Sequence, residues 1–99
     1  MKKIIVRYKV KPESTEENKK LISKVFEELN SNAPDGLRYT SYVMADGVSF
    51  IHIASIETID GTNPLNSSPS FKEFTKDLKD RCEEPPVATE VSVVGSYDI

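Results

Sequence analysis

The sequence predicts one α+β domain of element order β-α-β-β-α-β, a four-stranded antiparallel sheet with two helices on one face. Three observations predict it. Apolar residues alternate with period two over residues 3–11, an Asp46-Gly47 pair separates two β-rich runs, and a stretch of helical apolar spacing lies on either side of that hairpin. At 99 residues the chain has the length of one domain, so residues 1–99 are read as a single unit that buries roughly 60–65% of its unfolded surface.

In the first strand Ile4, Val6, Tyr8 and Val10 point one way and Ile5, Arg7 and Lys9 the other, and Pro12 closes the run. Ser14 with Glu17 three residues later has the spacing of a capping box, which predicts a helix start. Leu21, Ile22, Val25, Phe26 and Leu29 then form one stripe on a 3.6-residue period, opposite a face of Lys and Glu. Residues 30–36 combine poor helix formers with Pro34 and Gly36 and end that helix.

A strand starts at Leu37, and Asp46-Gly47 predicts a type I′ hairpin with positive φ at both central positions. If Ala45 pairs with Val48, then Val43 faces Phe50, Ser41 faces His52, Tyr39 faces Ala54 and Leu37 faces Ile56 on one side of the sheet. Tyr42, Met44, Ile51 and Ile53 lie on the other. Both faces are thus substantially apolar while two helices cover only one, so a second copy is expected to pack on the open sheet face as a homodimer.

Residues 59–67 read as a loop, and Ser68 before Pro69 as the N-cap of the second helix. Phe71, Phe74, Leu78 and Cys82 recur at helical spacing, which predicts a helix that runs until Pro85-Pro86 stops it. The last strand is expected over residues 87–97, with Val87, Val91 and Val93 on one face.

Composition removes several function classes. The formal net charge is −3, and the basic residues Lys2, Lys3, Arg7, Lys9 and Lys11 interleave with apolar ones as on a solvated strand, so no nucleic-acid partner is expected. No apolar run approaches the ~18 residues of a membrane span, and the basic start lacks a signal-peptide core; no membrane partner and a cytoplasmic location are expected. One cysteine and one histidine exclude an internal disulfide and the usual structural zinc set, so no metal site is expected. Residues 11–14 lack the glycine-rich anion loop of an acylphosphatase, and no glycine-aromatic motif of an RNA-recognition module follows Tyr8 or Phe50.

The order of elements is the ferredoxin-like arrangement, in which the first and third strands are usually central. On the strand Val6-Arg7-Tyr8-Lys9-Val10-Lys11-Pro12, the strand from Phe50 through His52 to Glu57, and the helix start from Ser68-Pro69 to Phe74, the chain resembles the dimeric α/β-barrel superfamily. Within it, the chain is similar to small proteins related to antibiotic-biosynthesis monooxygenases. The resemblance implies a homodimer with a cavity between sheet and helices in each subunit, and a small apolar or aromatic ligand. Members of that group oxidise polycyclic phenols without metal or flavin, or degrade haem. This sequence has no tryptophan, no histidine on the second helix and no asparagine on the first strand, so haem is not expected and no cofactor is assigned.

His52 is the one candidate catalytic residue, as a general base or a phenolate-binding group. A partly buried histidine bonded to Ser41 fits the same position. Tyr8, Tyr39, Ser41, Phe50, Phe71 and Phe74 are the candidate ligand-binding residues, with Tyr42 a further tyrosine that would suit a pocket or plain packing. Cys82, expected at a helix C-terminus and followed by Glu83 and Glu84, is disfavoured as a thiolate. Nothing combines a nucleophile, a base and an orienting group, which puts a small-molecule-binding homodimer ahead of a cofactor-independent monooxygenase acting on a phenolic or quinone-like compound.

Overall fold

β1 (Lys2–Val10) lies between β3 (Ser49–Ile56) and β4 (Cys82–Val91), and β2 (Leu37–Val43) closes the far edge, so the antiparallel sheet runs β2-β3-β1-β4. The computed structural model describes residues 2–98. The first and third strands are central, and the molecule has the ferredoxin-like α+β fold the sequence predicts.

β1 pairs with β3 so that Tyr8 opposes Phe50, Val6 opposes His52 and Ile4 opposes Ala54. Across β2 and β3 the pairs are Val43 with Phe50, Ser41 with His52, Tyr39 with Ala54 and Leu37 with Ile56, the predicted register. Strand alternation therefore sends Tyr8, Val10, Phe50, His52, Ala54 and Ile56 to the helical side, where all are buried. Val25, Leu65, Phe74 and Leu78 meet them there to complete the core. Each fully buried aliphatic or aromatic side chain contributes about 1.5–3 kcal/mol.

The hairpin turn differs from the prediction. Among its residues only Gly47 has positive φ (77°), and Asp46 does not. The Gly47 N–H bonds to the Met44 carbonyl, while the Asp46 carboxylate accepts from the Val48 and Ser49 N–H groups and the Ser49 hydroxyl. Those three bonds hold Asp46 in an ordinary conformation and its carboxyl below the usual range. The register is the same because residues 45–48 still close the loop symmetrically.

The helix α1 (Thr15–Asn32) follows a short 3-10 turn at Pro12–Ser14. Ser14 makes no side-chain cap; its own N–H is taken by the Lys11 carbonyl as part of the 3-10 turn, so the predicted capping box does not form. The helix ends within the expected stop, at Ala33, which adopts the left-handed conformation (φ 42°) and bonds back to Leu29.

The second helix starts as predicted: Ser68 accepts from the Phe71 N–H and Pro69 occupies the first turn of α2 (Pro69–Lys76). Glu28 of α1 accepts from Ser68, from the Ser70 N–H and from the Ser70 hydroxyl, tying the two helices together at that end. The chain then bends at Asp77 and forms α3 (Leu78–Arg81). Cys82 is not helical; it is extended and pairs with Val10 at the start of β4. Pro85 and Pro86 lie within β4, which tolerates them because it is an edge strand whose pairing shifts between Arg7 and Lys9.

β4 ends at Val91, short of the expected Tyr97. The reason is geometric: Val91 pairs with Lys3, one residue from the start of β1, and among the described residues no strand remains beyond it to pair with. Val93, Val94 and Tyr97 are consequently exposed. Among the described residues, no helix is long and apolar enough to cross a membrane.

Gly36 has φ 78°, and a Cβ there would sit 2.8 Å from Thr58 Cγ2 and 2.9 Å from the Thr58 nitrogen. Gly47 has similar φ but open space around it. In urea unfolding, Gly36→Ala is expected to cost about 2–4 kcal/mol, and Gly47→Ala about 1 kcal/mol, because only the first adds a backbone collision to the dihedral penalty.

Candidate ligand-binding site

Between the sheet and the α2–α3 segment lies a cavity of about 400 Å³. Ile4, Val6 and Ala54 form its sheet wall and Leu65, Phe71 and Phe74 face them, with Leu78, Pro86 and Ala88 towards the β4 side. Tyr8, Tyr39 and His52 line the same space. The walls are almost wholly apolar, as strand alternation and the α2 stripe require.

Strand register also builds the polar part. Tyr8 stacks on Phe50 across the β1–β3 pair (centroids 5.5 Å, 9° between planes) and its hydroxyl reaches His52 Nε2 at 2.7 Å. The Ser41 hydroxyl, directly opposite on β2, lies 2.7 Å from His52 Nδ1, and the Tyr39 hydroxyl 2.9 Å from the same atom. Asn18 Nδ2 donates to the Tyr8 oxygen at 2.9 Å. Arg81 donates through Nε and a terminal nitrogen to Asn18 Oδ1, both at 3.2 Å, and to the Phe74 carbonyl at 2.8 Å. Its guanidinium also lies over the Phe74 ring, 5.6 Å from the centroid.

A continuous chain of hydrogen bonds thus runs Arg81, Asn18, Tyr8, His52, then Ser41 and Tyr39. Asn18, His52 and Arg81 are all at most 5% exposed. Burial holds the His52 imidazole neutral, with its pKa lowered to about 4, and raises the Tyr8 phenol well above its ordinary value. Tyr39 is pushed up to about 12 by burial, against the opposing pull of the Ser41 hydroxyl. Burial likewise raises the Cys82 thiol, in keeping with an unreactive cysteine.

The structure brings together His52, Tyr8, Tyr39, Phe71 and Phe74 at the cavity. Ser41 and Phe50 stand behind it: Ser41 bonds to the far side of His52, and Phe50 backs the Tyr8 ring. Tyr42 points to the open sheet face, more than half exposed, and takes no part. Asn18 and Arg81 were not anticipated. Each sits on an apolar stripe, Asn18 three residues before Leu21 and Arg81 three after Leu78, and a polar side chain at such a position is the signal that identifies it. Among the described residues, no three His, Cys, Asp or Glu side chains converge as a metal site would require.

No protein-family model matches the chain, and neither does any curated protein. Solved structures do. An antibiotic biosynthesis monooxygenase superposes with a TM-score of 0.77 at 17% identity, covering 96% of this chain and 100% of the other. Rv0793 from Mycobacterium tuberculosis gives 0.76 at 18% identity over 96% of each chain. SnoaB from Streptomyces nogalater, described as a cofactor-independent oxygenase, gives 0.72 at 14% identity over 99% of this chain and 97% of that one. At these identities the likeness is one of fold.

The depressed basicity of His52 has a consequence for stability. Above pH 6.5 the ring is neutral whether the chain is folded or not; below it the unfolded chain takes up a proton that the folded one refuses until about pH 4. Stability should therefore fall as pH drops through that window, by roughly 3 kcal/mol in total. The His52 Cε1–H resonance should titrate with a midpoint near pH 4, and a midpoint at 6 or above would contradict the buried neutral ring.

Proposed function

We propose that this chain is a small-molecule-binding protein whose ligand is a compact, planar aromatic compound, and that it works as a cytoplasmic homodimer. The observation that carries the ligand reading is the cavity itself: about 400 Å³ of space walled mostly by apolar and aromatic side chains. An open-mouthed cavity of that size and lining favours an apolar occupant, and the aromatic rings of Phe71, Phe74, Tyr8 and Tyr39 favour a flat one.

Support for the homodimer comes from the opposite face of the sheet. Tyr42, Met44 and Val87 are each about half or more exposed there, and Ile5, Arg7, Met44 and Val87 line a shallow hollow of about 480 Å³. The uncovered Val93, Val94 and Tyr97 extend the apolar surface beyond β4. A second copy would bury both features by a two-fold contact.

A cofactor-independent monooxygenase is the second reading, favoured by the oxygenase description of SnoaB, whose fold this chain shares. Such an enzyme would convert a phenol with a free para position and dioxygen to a quinone and water, with polar groups stabilising the phenolate. His52 is the residue that would handle the phenolic proton. Both of its ring nitrogens already have partners in the chain, which weighs towards binding.

Titration with 2-naphthol should shift the amide resonances of Tyr39, Leu65 and Phe74; unshifted spectra at millimolar probe would exclude the cavity as a ligand site. Oxygen uptake with 1-naphthol, abolished in His52→Ala while the fold persists, would establish the enzyme reading. Sedimentation equilibrium should give a dimer, and Ile53→Glu on the open sheet face should convert it to a monomer of unchanged circular dichroism. A wild-type monomer at tens of micromolar would overturn the homodimer.

A further inference from the structure

We infer that Arg81 and Asn18 set the direction of the hydrogen-bond chain, so that the cavity presents a hydroxyl hydrogen of Tyr39 and selects a ligand whose oxygen accepts but does not donate, as in an aryl ketone or quinone. This inference rests on the reading of the cavity as a ligand site.

A guanidinium only donates, so the Asn18 atom that two Arg81 nitrogens touch must be the carbonyl oxygen, and the amide nitrogen must face Tyr8. The Tyr8 oxygen therefore receives a hydrogen from Asn18, and its own hydrogen, on a residue 4% exposed, has no acceptor other than His52 within reach among the described residues. The Tyr8 oxygen lies 2.7 Å from His52 Nε2, so that nitrogen is the acceptor and the neutral ring carries its proton on Nδ1. The Nδ1–H is directed at the Ser41 and Tyr39 oxygens, 2.7 and 2.9 Å away. Tyr39 thus cannot spend its hydrogen on the histidine. Ser41, the nearer of the two to Nδ1 and not part of the cavity lining, takes that hydrogen, and the Tyr39 oxygen held at the same nitrogen is the neighbour placed to receive the Ser41 hydrogen. What is left over is the Tyr39 hydrogen, on a residue that lines the cavity.

Arg81 and Asn18 are in this scheme positioning residues: neither lines the cavity, and both act through Tyr8 and His52. A donor in a largely apolar wall, whose other polar lining residues are Tyr8, His52, Asn63, Thr75 and Lys79, discriminates between ligand oxygens and N–H groups. An acceptor oxygen completes it, while a ligand N–H would meet a second hydrogen and remain unpaired, and a ligand hydroxyl could accept but would leave its own hydrogen without a partner.

Three bicyclic probes of nearly equal size separate the possibilities: 1-indanone accepts only, indole donates only, and indane does neither. The wild-type protein should bind 1-indanone about tenfold more tightly than indole or indane, the worth of one hydrogen bond. Tyr39→Phe should remove that preference. Asn18→Asp offers the decisive reversal. The carboxylate keeps Arg81 paired but can no longer donate to Tyr8, so Tyr8 should turn its hydrogen to Asp, His52 should carry its proton on Nε2, and Tyr39 should donate to Nδ1. That variant should prefer indole to 1-indanone, and the 15N shifts of the two His52 ring nitrogens should exchange between protonated and unprotonated values. Equal affinity for all three probes in the wild type, or an Nε2-protonated ring there, would overturn the inferred direction while leaving the cavity a ligand site. Failure of all three probes to bind would refute the selection of acceptor ligands together with the ligand-site reading on which it rests, whatever the ring tautomer.

Discussion

A permanent positive charge sits in the core at Arg81, 5% exposed, and among the described residues no carboxylate pairs with it. Burying an unpaired cation costs several kcal/mol unless dipoles replace its water. Here the dipoles are the Asn18 side-chain carbonyl and the Phe74 backbone carbonyl, with the Phe74 ring face below. Each substitute constrains something else. Asn18 loses the freedom to flip its amide, Phe74 is held on one wall of the cavity, and the bend at Asp77 that turns α3 towards the sheet gains a tie back to α2. The orientation of the polar relay thus descends from how one charge is accommodated.

That arrangement also explains why so polar a chain of groups lies against so apolar a cavity. Tyr8, His52, Ser41 and Tyr39 bond to one another with only the Tyr39 hydrogen left over, and burial resists charging Tyr8, Tyr39 and His52. A neutral relay so nearly satisfied costs little in a low-dielectric interior, whereas a charged one would draw in water. The relay adds polarity to the site without adding charge, a property suited to a neutral aromatic ligand.

How much of this was legible in the sequence depends on whether one residue or several decide a feature. The strand register was legible because period-two alternation and one short loop constrain it together, and a slip would have sent His52 to the open face. The capping box was not, since the local pattern Ser14 to Glu17 competes with a 3-10 turn set by Pro12. Cys82 matched the helical stripe, yet its backbone is needed by Val10 in the sheet, and a tertiary pairing overrides a local period. Of the site, Tyr8, Tyr39, Ser41 and His52 follow from register alone. Asn18 and Arg81 are 63 residues apart in sequence, and only the packing of α1 against the α2–α3 segment brings them together.

The two faces of the sheet then divide the labour between them. Facing the helices, β1 and β3 alternate to bury Tyr8, Phe50 and His52; facing outward, the same strands leave Ile5, Ile51 and Ile53 only partly covered. A strand that is apolar on both sides is expensive to leave single-layered, because the exposed residues gain nothing from folding and invite association. The early end of β4 adds to this, since Val93 and Val94 have strand-forming side chains and, among the described residues, no strand to pair with. Because Arg7 and Val87 of the outer face are direct neighbours in the β1–β4 ladder that also supports Val6 and Ala88 at the cavity, a subunit packed on the open face would stiffen the wall of the ligand site from behind. Assembly and binding would then be linked through the same four strands.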